Sequence, residues 1–101
     1  MRGEVYRLPA RGKGHEQCGR RFAVVLQPEW LSLSTWIVAF TSTSARPTSF
    51  RPMVMIRGGE TLVMCDQLAA VDLSRLAERA GHLTLDEMQR VDEAVSLVLD
   101  L

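Results

Sequence analysis

The sequence predicts a mainly β fold (α+β): a small barrel or half-barrel of about five to seven short strands, finished by one C-terminal helix. Three observations carry this. Short apolar runs rich in Val, Ile, Phe, Tyr and Trp recur between residues 4 and 83. Each is bounded by Pro, Gly or clustered Ser and Thr, the punctuation of turns. Only from Thr84 onward does the apolar spacing change to the three-and-four rhythm of an amphipathic helix.

Taken in order, Gly3 to Leu8 reads as a first strand, stopped by Pro9. Residues 9–20 contain Gly12, Gly14 and Gly19 and read as a long polar loop, too rich in glycine for a helix. Phe22 to Gln27 is the second strand; its unbroken apolar run, β-branched at the centre, predicts burial on both faces. Pro28 ends it, and Pro28 to Ser32 allows one helical turn opened by proline. Thr35 to Thr41 is the third strand and runs into a hydroxyl-rich loop, Ser42 to Ser49. Phe50 to Ile56 is the fourth, and Pro52 within it predicts an edge position or a bulge. Gly58-Gly59 is the expected turn into a returning strand, Glu60 to Cys65, with Gln67 to Val71 as a short continuation. Asp72 to Leu76 reads as a helical turn and Arg79 to Leu83 as a last strand. Thr84-Leu85-Asp86-Glu87 is a capping box. Met88, Val91, Val95 and Val98 then form one apolar stripe, with acidic residues near the helix N-terminus, where the macrodipole favours them.

At 101 residues, 47% hydrophobic and 24% charged, the chain fits one globular domain, 1–101. No apolar run approaches the roughly 20 residues that span a bilayer, and no signal-peptide core follows the start; a cytoplasmic protein is the expectation. Cys18 and Cys65 lie far apart, form no CxxC pair and are expected as thiols in a reducing compartment. The net charge of zero conceals an asymmetry. Residues 1–57 carry nine basic and three acidic side chains, and residues 58–101 the reverse, with eleven of the twelve basic residues arginine. Two readings stand: an arginine-rich half suited to a polyanion such as nucleic acid, or two halves that face each other and cancel.

The sequence holds no P-loop, no GxGxxG and no HExxH. His15, Cys18, Cys65, Asp66 and His82 lack the closed spacing of a structural zinc site, so neither metal nor cofactor is expected. What stands out is three polar islands at strand ends: His15, Glu16 and Gln17 with Arg20 and Arg21; Thr41, Ser42 and Thr43; and Asp66 with Gln67. Converging at one rim, arginine and a hydroxyl would stabilise charge on a phosphate, and His15, Glu16 or Asp66 would move protons. Each has a structural alternative. Asp66 caps a turn, His15 is solvated, Thr41 is a sheet residue with a satisfied hydroxyl, and Arg21 lies along apolar surface.

In order, these islands resemble the MazF/PemK (Kid-like) toxins of type II toxin–antitoxin systems. Arg2-Gly3-Glu4-Val5-Tyr6 is similar to the family's RG(D/E)(I/V)(W/Y) opening and Gly14-His15-Glu16-Gln17 to its G(H/S)EQ loop. Arg21 followed by Val24-Val25-Leu26 resembles RPVLV, Val38-Ala39-Phe40-Thr41-Ser42 the strand ending in TS, and Val63-Met64-Cys65-Asp66-Gln67 the VxCDQ strand. The resemblance implies an SH3-like barrel working as a homodimer. It further implies a metal-independent endoribonuclease that cuts single-stranded RNA at short motifs, with mRNA the first expectation and rRNA or tRNA the alternatives. Its products are 2′,3′-cyclic phosphate and 5′-hydroxyl ends, and a cognate antitoxin neutralises it by laying its C-terminal segment over the active site. On that basis Arg21 and Thr41 correspond to the catalytic pair, and His15 and Asp66 to positions for proton transfer or RNA binding. Glu16, Gln17, Ser42, Arg46 and Gln67 are RNA-contact candidates. Three departures accompany the likeness: Phe22 stands in place of the usual Pro, Met64 in place of an Arg, and Ala69-Ala70 in place of Arg-Thr. Two alternatives remain. One is a gyrase-inhibiting toxin on the same barrel, although Ser96 to Leu101 does not resemble the Trp- and Gly-containing tip that mode uses. The other is a non-catalytic SH3-like module that binds RNA or protein.

Overall fold

The fold was analysed in a computed structural model, which describes residues 2–9 and 22–101. Six strands form one antiparallel sheet: β1 (Glu4–Arg7), β2 (Phe22–Val25), β3 (Thr35–Ser42), β4 (Met53–Ile56), β5 (Gly59–Asp72) and β6 (Arg79–His82). Their order is β4-β5-β3-β2-β1-β6, and the sheet curls into a nearly closed barrel followed by α1 (Leu85–Leu99). Across the gap, the Arg57 guanidinium beside the β4–β5 turn donates to the Ala80 carbonyl of β6 at 3.4 Å. The mainly β barrel with a C-terminal helix expected from the sequence is therefore observed.

The apolar run of β2 is buried on both faces. Val24 enters a core with Val5, Ala39, Val54, Val63, Cys65, Leu83 and Val91. Ala23 and Val25 point the other way, into a second cluster with Val38 and Val71 that is covered by Tyr6, Trp36 and Phe40. Alternation along one short strand thus separates two apolar layers.

Helix α1 covers the first layer with Val91 and Ala94 buried and with Met88 and Val95 beside them. Val98, expected in the same stripe, is exposed at 37%. The sheet-facing line passes through Ala94 because 3.6 residues per turn carries a strict three-and-four stripe sideways by the fourth turn. The capping box is present in full: Thr84 Oγ1 accepts from the Glu87 N–H at 3.1 Å, and Glu87 Oε1 accepts from the Thr84 N–H at 2.9 Å.

Three local expectations change. The β4–β5 turn is Arg57-Gly58, not Gly58-Gly59. Ile56 pairs with Gly59, and residues 57 and 58 have φ of 53° and 80°, the two left-handed positions that match the twist of a hairpin. Pro28 to Ser32 makes a single turn and no helix. The Leu31 N–H donates to the Pro28 carbonyl at 3.1 Å, while the Leu31 carbonyl is taken by Gln27 Nε2 at 2.8 Å. Gln67 to Val71 continues β5, in line with the sequence. The fourth strand begins at Met53 and not at Phe50, so Pro52 lies just before it and not within it, while the edge position expected from Pro52 is observed. Asp72 caps a 3-10 turn over Leu73–Arg75 by accepting from the Ser74 N–H at 2.9 Å.

At the barrel mouth, Gly3 carries φ of 90°. Its N–H donates to Val25 and its carbonyl accepts from Leu83, and a Cβ there would sit 2.9 Å from the His82 ring. Only glycine meets both demands.

Candidate active site

The site is built on an irregularity in β5. Phe40 pairs with Met64, yet its neighbour Ala39 pairs with Leu68. Cys65, Asp66 and Gln67 are therefore left without β3 partners and form a wide bulge. A bulge bends its strand and re-aims side chains. Here it lets the first half of β5 lie between β4 and β3 while the second half follows β3 alone.

Thr41 stands one step from this bulge, paired with Val63. It is 1% exposed. Its hydroxyl donates to the Phe22 carbonyl at 3.1 Å and accepts from the Phe22 N–H at 3.2 Å. The end of β3 is thereby clamped to the first residue of β2, immediately after Arg21 in the chain. Phe22 stands where the resemblance leads one to expect proline. The exchange matters to the clamp, because a proline has no N–H to offer the threonine.

Asp66 lies on the bulge and faces an arginine that the sequence reading passed over. Arg51 Nε donates to Asp66 Oδ1 at 3.1 Å and Nη2 to Oδ2 at 2.9 Å, the two-pronged geometry that guanidinium and carboxylate allow. The side chains are 19% and 27% exposed. The Arg51 guanidinium holds the Asp66 carboxyl below the ordinary carboxylate range. Asp66 is an anion at neutral pH and a weak proton acceptor. The signal for this pair was in the hairpin. Phe50 and Pro52 carbonyls accept from the Cys65 and Val63 N–H groups, so Arg51 stands alongside Met64 and diagonal to Asp66, within reach of a long side chain.

Ser42 Oγ accepts from the Ser44 and Ala45 N–H groups at 3.1 and 3.0 Å and so shapes the start of the loop that follows β3. Arg46, in that loop, is exposed and makes no ion pair with the described residues. Gln67 is exposed on the bulge. His15, Glu16, Gln17 and Arg21, with Cys18 and Arg20, lie outside the described residues. Thr41 and Asp66 thus come within three positions on the β3–β5 ladder, one hydroxyl buried against β2 and one carboxylate at the surface.

The charge asymmetry is partly resolved within the chain. Arg2 pairs with Asp92, Arg7 with Glu78 and Arg51 with Asp66, each joining the basic half to the acidic one. Of the loose zinc set, Cys65 is a buried free thiol, and His82 packs over Gly3 with Nδ1 2.8 Å from the Leu83 carbonyl oxygen. Cys65, Asp66 and His82 form no metal-binding group among the described residues. No helix among the described residues is long and apolar enough to cross a membrane.

Comparison with known proteins agrees with the fold. The family model described as "PemK-like, MazF-like toxin of type II toxin-antitoxin system" matches residues 1–99. A Mycobacterium tuberculosis protein named "Putative toxin Rv3098A/RVBD_3098A" is 38% identical over 104 residues, covering 100% of this chain and 98% of its own length. Among solved structures, an endoribonuclease in complex with its cognate antitoxin, from a mycobacterial species, superposes with a TM-score of 0.81 at 18% identity, covering 100% of this chain and 95% of its own. The Mycobacterium tuberculosis toxin MazF-mt6 does so with a TM-score of 0.78 at 19% identity, covering 97% of each.

Proposed function

This chain belongs to the PemK-like, MazF-like toxin family of type II toxin–antitoxin systems, and on that footing we propose that it is a sequence-specific, metal-independent endoribonuclease acting on single-stranded RNA. The observation that carries the reading is the clamp between Thr41 and Phe22. It fixes the chain position next to Arg21 against the strand end that lies beside the β5 bulge.

In this mechanism the RNA 2′-hydroxyl attacks its own adjacent phosphate. The 2′-hydroxyl proton passes to a base, the bond to the 5′-oxygen breaks and that oxygen takes up a proton, leaving a 2′,3′-cyclic phosphate and a 5′-hydroxyl. The nucleophile is already in place on the substrate, so the protein need supply only a base and charge stabilisation. Arg21 neutralises the charge gathering on the phosphate. Thr41 anchors the backbone that presents Arg21. His15 is the proton carrier, because Asp66 is held as an anion by Arg51. Glu16, Gln17, Ser42, Arg46 and Gln67 contact the RNA. A cognate antitoxin covers this site with its C-terminal segment. The working unit is a homodimer, in keeping with the exposed Leu97, Leu99 and Leu101 at the end of α1, apolar surface of the kind that marks an interface.

The test is incubation of purified protein with a mixed RNA pool in EDTA, with the 5′ ends of the fragments mapped. Cleavage at a short recurring motif is expected, lost in Arg21→Ala with the circular dichroism spectrum unchanged. Intact RNA in the presence of folded wild-type protein sinks the proposal. A second reading, RNA binding without cutting, is favoured by the engagement of both described catalytic candidates, Thr41 and Asp66, within the protein. RNA retained on the protein without products would select it.

A further inference from the structure

The loop between β3 and β4 starts after Ser42 and carries Arg46, yet its stretch of Ser, Thr, Ala and Pro has little apolar surface with which to hold itself in place. Each end is shaped by a local hydroxyl turn. Ser42 Oγ gathers the Ser44 and Ala45 N–H groups, and Thr48 Oγ1 accepts from the Phe50 N–H at 3.3 Å. Among the described residues, only one side chain ties the interior of the loop to β5. Arg51 Nη1 donates to the Arg46 carbonyl at 3.3 Å while its Nε and Nη2 grip Asp66 on the bulge. The guanidinium also lies over the Phe50 ring, 5.5 Å from the centroid.

We infer that Arg51 is a positioning residue: it locks the β3–β4 loop onto the β5 bulge and so fixes Arg46 relative to Thr41 for RNA binding. The inference rests on the RNA-directed reading of this site and assigns to Asp66 the role of anchor. Three features separate this bridge from an ordinary surface ion pair, which contributes little. It is two-pronged, its guanidinium also lies over the Phe50 ring, and that one guanidinium joins two chain segments through three donors. A lysine cannot reproduce that, having a point charge and no planar fork. The functional reason is geometric, since a shift of about 1 Å in a substrate-positioning group is enough to cost roughly 100-fold in rate.

Arg51→Gln, Arg51→Lys and Asp66→Asn are compared with wild type by two readouts. The first is amide hydrogen exchange across residues 43–49, which needs no activity. The second is cleavage kinetics on a short RNA containing the mapped motif. All three variants are expected to exchange roughly tenfold faster in the loop. KM should rise roughly tenfold while kcat stays within about threefold, because Arg46 serves binding more than chemistry. Unchanged exchange in Arg51→Gln overturns the inference. So does faster exchange with unchanged KM, which would make the tether merely structural. Arg51→Lys with wild-type exchange but raised KM would mean that Arg51 itself contacts RNA, and overturns it as well. If wild type does not cleave, the proposed function fails on its own, and fluorescence anisotropy with the same RNA replaces KM. An unchanged Kd in Arg51→Gln, or no binding by wild type, then overturns the positioning role.

Discussion

Glu87 Oε2 accepts the Met55 backbone N–H at 2.9 Å, so the carboxylate that completes the helix capping box also closes the open edge of β4. Three residues along the helix, Arg90 Nη1 donates to the Met53 carbonyl at 2.7 Å. An exposed edge strand with free N–H and C=O groups invites pairing with another chain. Here two side chains of α1 occupy its donor and its acceptor. Burial works against the Glu87 charge, but the Met55 and Thr84 N–H groups, the Thr84 hydroxyl and Arg90 outweigh it and hold the carboxyl below its ordinary range.

Glu87→Ala is therefore expected to destabilise by about 1–3 kcal/mol, through loss of a cap and an unsatisfied N–H. The sign with pH follows from the depressed value. The Glu87 contribution is fully present above the unfolded-state carboxylate pKa and is lost as pH falls through the folded one. Urea denaturation at pH 7 and pH 3 should show the gap between wild type and Glu87→Ala shrinking at the lower pH. A constant gap would show that the carboxylate charge contributes nothing to the staple.

Thr41→Val removes both partners of the Phe22 backbone while keeping the shape of the side chain. It is expected to cost about 1–3 kcal/mol, read as a lower Tm, and to abolish RNA cleavage where Thr41→Ser retains it. Wild-type Tm and cleavage in Thr41→Val would show that the clamp is dispensable.

Gly3→Ala places a methyl against the His82 ring at a backbone φ of 90° and is expected to lower stability by roughly 1–3 kcal/mol. The double variant Gly3→Ala/His82→Ala should recover only part of the loss, since the backbone strain remains after the clash is removed. Full recovery would mean that φ contributes nothing.

Cys65 is fully buried, and burial, with Asp66 and Asp92 nearby, pushes its thiol up to about 12. In a Cys18→Ser background it should resist a thiol-specific reagent at pH 8 in the native state and react only in denaturant, because the thiolate is the reactive form. Labelling within seconds in native buffer would contradict this burial.

Local chemistry made several elements legible in advance. The capping box at Thr84 and Glu87 declared the helix. The run from Phe22 to Leu26 declared a strand with two apolar faces. The TS island marked the end of β3, whereas the CDQ island, expected at a strand end, lies on the bulge within β5. What escaped the reading depended on register and long-range partners. The β4–β5 turn fell one residue earlier than the Gly-Gly pair suggested, since Arg57 itself adopts the left-handed conformation. Gln27 looked like the last residue of a strand, yet it is buried and bonded to both Leu31 and Ile37. Arg51 was legible only through the register of the β4–β5 hairpin, which sets it opposite Met64 and diagonal to Asp66.

By itself, then, the sequence determined the mainly β class, the helix with its start, the family and the residue types available for RNA chemistry, because each follows from neighbours within a few positions or from a motif in order. Only the tertiary structure decided that β5 bulges at Cys65 to Gln67, that Thr41 spends its hydroxyl on Phe22, and that Asp66 is held by Arg51. Those facts are set by strand register and by contacts between residues 15 or more positions apart, and a side chain's protonation and reach are fixed by what it meets across the sheet.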